Sequence, residues 1–117
     1  MTQIDRIRNF ALSFPKATEE THFDKTSFRV KKKIFATFDA KTNKLCLKLS
    51  EIEQDIFSLI NRQVIYPVPN QWGKKGWTLI ELDKLDNEIL LDALRKAYCT
   101  VAPKSLVIEI LTDENGT

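Results

Sequence analysis

The stretch FDKTSFRVKKKIFATFDAKTNKLCLKLS, Phe23 to Ser50, decides the fold. Phe28 and Val30 alternate with Ser27, Arg29 and Lys31. Ile34, Ala36 and Phe38 alternate with Phe35 and Thr37, and Leu45, Leu47 and Leu49 alternate with Lys44, Cys46 and Lys48. A period of two puts successive side chains on opposite faces, so each run reads as a strand with one buried and one open face. Lys31–Lys33 and Asp39–Asn43 supply polar turns between the runs, which makes an antiparallel meander.

Outside this stretch the period is helical. Ile4, Ile7, Ala11 and Phe14 share a stripe, with Thr2 placed to cap and Pro15 to stop the helix. Lys16–His22 reads as a polar connection. Ser50 and Glu53 match a capping box before a helix reaching about Arg62, whose expected buried stripe is Ile52, Ile56, Leu59 and Ile60. Tyr66–Gly76 holds Pro67, Pro69, Gly73 and Gly76 and reads as a loop, followed by an extended run from Trp77 to Leu82. Asp86 caps a long helix with Ile89, Leu90, Ala93, Leu94, Ala97 and Tyr98 on its apolar side. Pro103 ends it, and Ser105–Leu111 reads as a short helix in preference to a strand. Helices combined with short antiparallel strands predict an α+β, two-layer sandwich with the helices on one face of the sheet.

The chain has 117 residues and 43% hydrophobic content, enough for one domain over residues 1–117 without disulfide support; residues 112–117 read as a flexible tail. No run approaches the roughly 18 apolar residues of a membrane helix, and no export signal opens the sequence, so the expected compartment is the cytoplasm. Cys46 and Cys99 read as structural thiols. His22 is the sole histidine. That excludes a histidine triad or a multi-histidine metal site, and the pairs Glu19–Glu20, Glu51/Glu53 and Asp113–Glu114 are explained by helix starts, a connector and a tail. No catalytic residues, cofactor or metal ligands are expected; an acidic cation-binding rim over 81–92 is a minor alternative.

The net charge of +2 hides a polarised distribution. From Asp24 to Lys48, eight basic residues face only Asp24 and Asp39, whereas acidic residues dominate from Glu81 onward. The strand phase places Arg29, Lys31, Lys44 and Lys48, with Thr37 and Phe35, on the face away from the helices. Lysines there neutralise phosphates and release counterions, and Phe35 offers a stacking surface. The competing reading is that such lysines keep the sheet soluble and its edges unpaired. The segment Trp72-Gly-Lys-Lys-Gly-Trp77 adds two indoles and Lys74–Lys75. Trp77 reads as core, and Trp72 as either a lid on the sheet edge or a phosphate-side contact. The expected nucleic-acid-binding set is therefore Arg29, Lys31, Lys32, Lys33, Lys44, Lys48, Trp72, Lys74 and Lys75.

Several short motifs in order carry a resemblance. They are Thr18-Glu19-Glu20, Phe28-Arg29-Val30, Lys33-Ile34-Phe35-Ala36, Leu45-Cys46-Leu47-Lys48, Gly76-Trp77-Thr78 with Leu82-Asp83, and Tyr98. Over nearly its whole length the chain resembles the MmcQ/YjbR family, described as DNA-binding proteins. The resemblance implies a two-layer α+β sandwich of the kind compared with secretion chaperones and with a double-wing DNA-binding module. Many members carry Asn-Lys-x-His-Trp before the last strand. Lys74-Lys75-Gly76-Trp77 keeps the tryptophan and a lysine but lacks the Asn and His. The function expected is a non-enzymatic module that binds DNA, as a monomer or weak dimer. The alternatives are a protein-interaction module resembling secretion chaperones and a small-ligand or metal binder.

Overall fold

The computed structural model describes residues 2–114, apart from the side chains of 113 and 114. The elements in chain order are α1 (Gln3–Ala11), β1 (Ala17–His22), β2 (Lys25–Val30), β3 (Lys33–Asp39), β4 (Lys44–Lys48), α2 (Glu51–Ile60), β5 (Ile65–Pro67), α3 (Gln71–Lys74), β6 (Trp77–Glu81), α4 (Asn87–Val101) and α5 (Lys104–Glu114). The six strands form one sheet in the order β1-β2-β3-β4-β6-β5. Every neighbouring pair is antiparallel. The α+β architecture expected from the sequence is the one found. Residues 112–114, expected in a flexible tail, continue α5; 115–117 lie outside the described residues.

Helix starts follow their capping residues. Thr2 and Asp5 form a reciprocal capping box on α1, Ser50 Oγ accepts from Glu53 N at 3.1 Å, and Asp86 accepts from Ile89 N at 3.0 Å. Each cap satisfies a backbone N–H that the first turn leaves unpaired. α4 lays Leu90, Ala93, Leu94, Ala97 and Tyr98 over one face of the sheet, where they meet Phe28, Val30, Ala36, Leu45, Leu47 and Ile80. Tyr98 is fully buried, and its hydroxyl donates to the Pro15 carbonyl at 2.6 Å. Burial pushes that phenol up to about 12.

Several expectations are overturned; Tyr66–Gly76, expected as a loop, holds most of β5 and all of α3. Lys16–His22 is not a connection: Ala17–His22 forms the edge strand β1, paired with β2. Its sequence lacks strand alternation because an edge strand needs little of it; Glu19 on its inner face is bound by Arg8 of α1 at 2.5 Å. Phe35 is not on the open face. Phe28 pairs with Ala36 but Arg29 pairs with Ile34, so Phe35 is the extra residue of a β-bulge. The bulge sends Phe35 into the core against Phe14 and Tyr98 and rotates Ile34 to the open face. Finally, Ile52, Ile56, Leu59 and Ile60 are not buried. They are 51–73% exposed, and α2 turns Gln54, Phe57 and Ser58 inward instead.

Candidate functional site

The register fixes what the helix-free face carries. β2 and β3 show Lys25, Ser27, Arg29, Ile34, Thr37 and Asp39. β4 and β6 show Lys44, Cys46, Lys48, Trp77, Leu79 and Glu81. Its centre is apolar. Ile34, Thr37, Cys46, Trp77 and Leu79, with Val68 and Trp72 from the segment beside β6, line a concavity of about 440 Å³ closed by His22 and Lys25. Cys46 lies in it with its thiol pushed up to about 11 by burial, so it stays neutral near physiological pH.

The cations of this face divide between the two ends of the strands. Where β1, β3 and β6 end and β2 and β4 begin, Lys25, Lys41 and Lys44 each have a carboxylate. Lys41 and Lys25 lie 3.4 and 3.7 Å from Asp24, and Lys44 lies 3.3 Å from Glu81. Tyr66 donates to Glu81, and this bond together with Lys44 holds the Glu81 carboxyl below its usual range. At the opposite end lie Lys31 and Lys32 in the β2–β3 turn, Lys33 at the start of β3 (paired with the core residue Val30 and so on the helix-side parity), Lys48 at the end of β4 and Lys75 just before β6. None of these five, nor Lys74, enters an ion pair among the described residues. Lys31 and Lys32 are both left-handed, with φ of 50° and 69°. They form the two-residue turn between the paired Val30 and Lys33, a conformation that favours Asn and Gly and strains lysine.

The aromatic segment is ordered from beneath. Asn70 caps the one-turn α3 by accepting from Trp72 N at 2.8 Å. The buried Gln54 amide of α2 donates to the carbonyls of Gly73 and Trp77 at 2.9 and 3.2 Å and lies 3.0 Å from Thr78 Oγ1. Gly76 has φ of 102°, and a Cβ there would overlap the Leu49 carbonyl. Trp72 emerges half-exposed with Lys75 Nζ 5.0 Å from its ring centroid; Lys48 Nζ stands 5.9 Å from that of Trp77. Lys48 also donates to the Lys75 carbonyl.

The nine sequence-selected residues therefore part company. Lys31, Lys32, Lys33, Lys48, Trp72, Lys74 and Lys75 gather at or beside one end of the sheet. Lys44 is at the far end and ion-paired. Arg29 is on the open face, but its Nε donates to Ser27 Oγ at 3.0 Å and lies 3.8 Å from Glu20. Trp77, expected in the core, is half-buried in the wall of the concavity, because its strand phase follows Leu79 and Cys46. Sequence reasoning missed Ile34, Leu79 and the hairpin tip Phe23, which is 88% exposed at φ 59° and edge-on to His22 at 4.8 Å. The bulge hid Ile34. A bulky residue with positive φ announces itself only in the backbone. No group of three or more His, Cys, Asp or Glu converges to hold a metal among the described residues, and none of their helices is long and apolar enough to cross a membrane.

The YjbR family model matches residues 12–100. The crystal structure of a Deinococcus radiodurans protein with the domain DUF419 is similar at a TM-score of 0.73 and 26% identity, over 84% of this chain and 77% of that one. No curated protein is significantly similar to the chain. The family match spans from the end of the first helix to the last turn of α4, taking in the whole sheet and the ordered aromatic segment, and on that ground the chain belongs to the YjbR family.

Proposed function

We propose that the protein is a cytoplasmic, non-enzymatic module that binds DNA through the lysine-rich end of its open sheet face. One observation carries this reading: Lys31, Lys32, Lys33, Lys48 and Lys75 lie at one end of the sheet with no ion pair among the described residues, while Lys25, Lys41 and Lys44 at the other end lie 3.7, 3.4 and 3.3 Å from a carboxylate. A surface serving only solubility has no reason to segregate free from neutralised cations. Segregation creates a local positive potential that attracts phosphates and releases counterions. Arg29, held by Ser27 and Glu20, supports the face, and Lys44 takes no part. An anisotropy titration of a labelled oligonucleotide at several salt concentrations tests the reading. Affinity should fall steeply with salt and drop further when Lys31, Lys32 and Lys33 are replaced by Glu; no binding at low salt would end it.

A second reading, a protein-binding role, is favoured by α2. Four aliphatic side chains in one exposed stripe are more than scattered surface apolarity explains. Sedimentation of wild type and an Ile56→Lys/Leu59→Lys variant tests self-association through that stripe. A concentration-dependent dimer lost in the variant supports it, and a wild type that stays monomeric at high concentration removes self-association as its form.

A further inference from the structure

We infer that the concavity on the open face seats an unpaired base of a single-stranded nucleic acid, so that the protein takes single strands in preference to duplex. This rests on the polyanion reading above and adds what the lysines alone do not decide. The argument begins with the composition of the face. An open face built for phosphate alone needs cations throughout, yet here the middle is Ile34, Thr37, Cys46, Trp77 and Leu79, with the cations at its margins. Its volume, about 440 Å³, is in the range of small-ligand sites and far too small to admit a double helix. A duplex keeps its base faces stacked inside and would leave these apolar walls uncovered. An unpaired base has a free π-face and can cover them.

The two indoles are arranged for this. Lys75 Nζ lies over the Trp72 ring at 5.0 Å from its centroid and Lys48 Nζ over the Trp77 ring at 5.9 Å, so a cation stands on one face of each indole and a base would stack on the other. Stacking platforms interleaved with phosphate-binding cations are the general layout of single-strand sites. Trp72 is fixed in place by the Asn70 cap and, through Gly73, by Gln54, so little ordering entropy opposes binding. The strands beneath the concavity favour a base over an extended peptide. β3, β4 and β6 are each paired on both sides, so no free backbone edge is on offer to a peptide strand. Phosphates continue from the bound base onto Lys48 at the end of β4 and onto Lys31 and Lys32 of the turn at the same end of the sheet.

The test compares a labelled single-stranded twelve-nucleotide DNA, the same strand annealed to its complement, and a twelve-residue abasic strand, by anisotropy at low salt with tryptophan emission followed in parallel. The single strand should bind at least tenfold more tightly than the duplex and quench tryptophan. Trp72→Ala should weaken single-strand binding roughly tenfold or more, with duplex binding unchanged and the abasic strand no better than the duplex. Trp72→Phe should recover most of the loss, and unchanged melting of both variants excludes unfolding. Equal binding of single strand and duplex, unaffected by Trp72→Ala, overturns the inference while leaving the polyanion reading standing. No binding of any strand overturns both. A short apolar peptide that displaces the strand and binds more tightly reassigns the concavity to peptides and also overturns it.

Discussion

The β2–β3 turn joins the stability of the fold to its proposed function, and replacing Lys31 by Asn and Lys32 by Gly separates the two. Both lysines are held at positive φ, 50° and 69°, between the paired Val30 and Lys33. An L-residue pays roughly 1–2 kcal/mol for the left-handed region, which Gly avoids and Asn partly avoids. Part of the gain is offset by the greater freedom of Gly in the unfolded chain, about 0.5–1 kcal/mol. The expected net effect is a stabilisation of about 1–2 kcal/mol. A 117-residue chain unfolds with an entropy of about 0.25 kcal/mol/K, so Tm should rise by roughly 4–8 °C. Binding should move the other way. Two lost phosphate contacts flatten the dependence of log K on log salt by about 1.4 for a single strand. Differential scanning calorimetry and a salt-series titration read both quantities on one preparation. A lower Tm would refute the strain argument. A higher Tm with an unchanged salt slope would show that these two lysines serve solubility and touch no phosphate.

Four further outcomes follow from the geometry. Phe35→Ala should cost about 3–5 kcal/mol in a urea melt and Ile34→Ala less than about 1, because the bulge buries the first and half-exposes the second; equal costs would place the bulge elsewhere. Gly76→Ala should cost about 2 kcal/mol or more, through its φ of 102° and the overlap with the Leu49 carbonyl, and an unchanged Tm would contradict that backbone. Gln54→Met keeps the length and removes the donors, so about 1–3 kcal/mol should be lost and hydrogen exchange of Gly73–Trp77 should quicken; exchange at the wild-type rate would mean Gln54 does not hold the segment. Arg8 holds the Glu19 carboxyl below its ordinary value of 4.5, so this pair contributes stability above pH 4.5 that is lost as pH falls through the lower folded value. The deficit of Glu19→Gln against wild type should therefore shrink from pH 7 to pH 3, and a constant deficit would show that the charge is immaterial.

Much of the architecture was legible because its signals are local. Thr2, Ser50 and Asp86 cap the helices they announce, Pro103 separates α4 from α5, and the Leu45–Leu47 alternation is β4. The failures share a physical cause: periodicity reports which residues share a face but not where a register slips or what the face meets. A one-residue bulge exchanged Phe35 for Ile34, and with the phase of Trp77 and Leu79 on β6 this turns an expected basic face with one aromatic into an apolar concavity with a basic end. The separation of Lys44 from Lys48 was hidden for a similar reason. The two lie on one strand and one face, and only the pairing with Glu81 and the neighbourhood of Lys75 distinguish them.

The orientation of α2 shows which constraint took precedence. Burying Ile52, Ile56, Leu59 and Ile60 would gain roughly 1.5–3 kcal/mol per side chain against leaving them exposed. The helix instead presents Gln54, Phe57 and Ser58 to the interior, and Ser58 Oγ is left buried without a hydrogen-bond partner. Such a choice is intelligible only if something else is satisfied by it. The interior it faces contains the carbonyls of Gly73 and Trp77, which accept backbone bonds from Gly76 and Val68 and a second, side-chain bond each from the Gln54 amide. Turning the helix by half a revolution would bury the aliphatic stripe, remove the Gln54 bonds to Gly73, Trp77 and Thr78, and loosen the segment that carries Trp72 and Lys75. The aliphatic stripe faces outward because the polar side of α2 is the scaffold of the aromatic segment, and the same rotation that orders one candidate binding surface exposes the other.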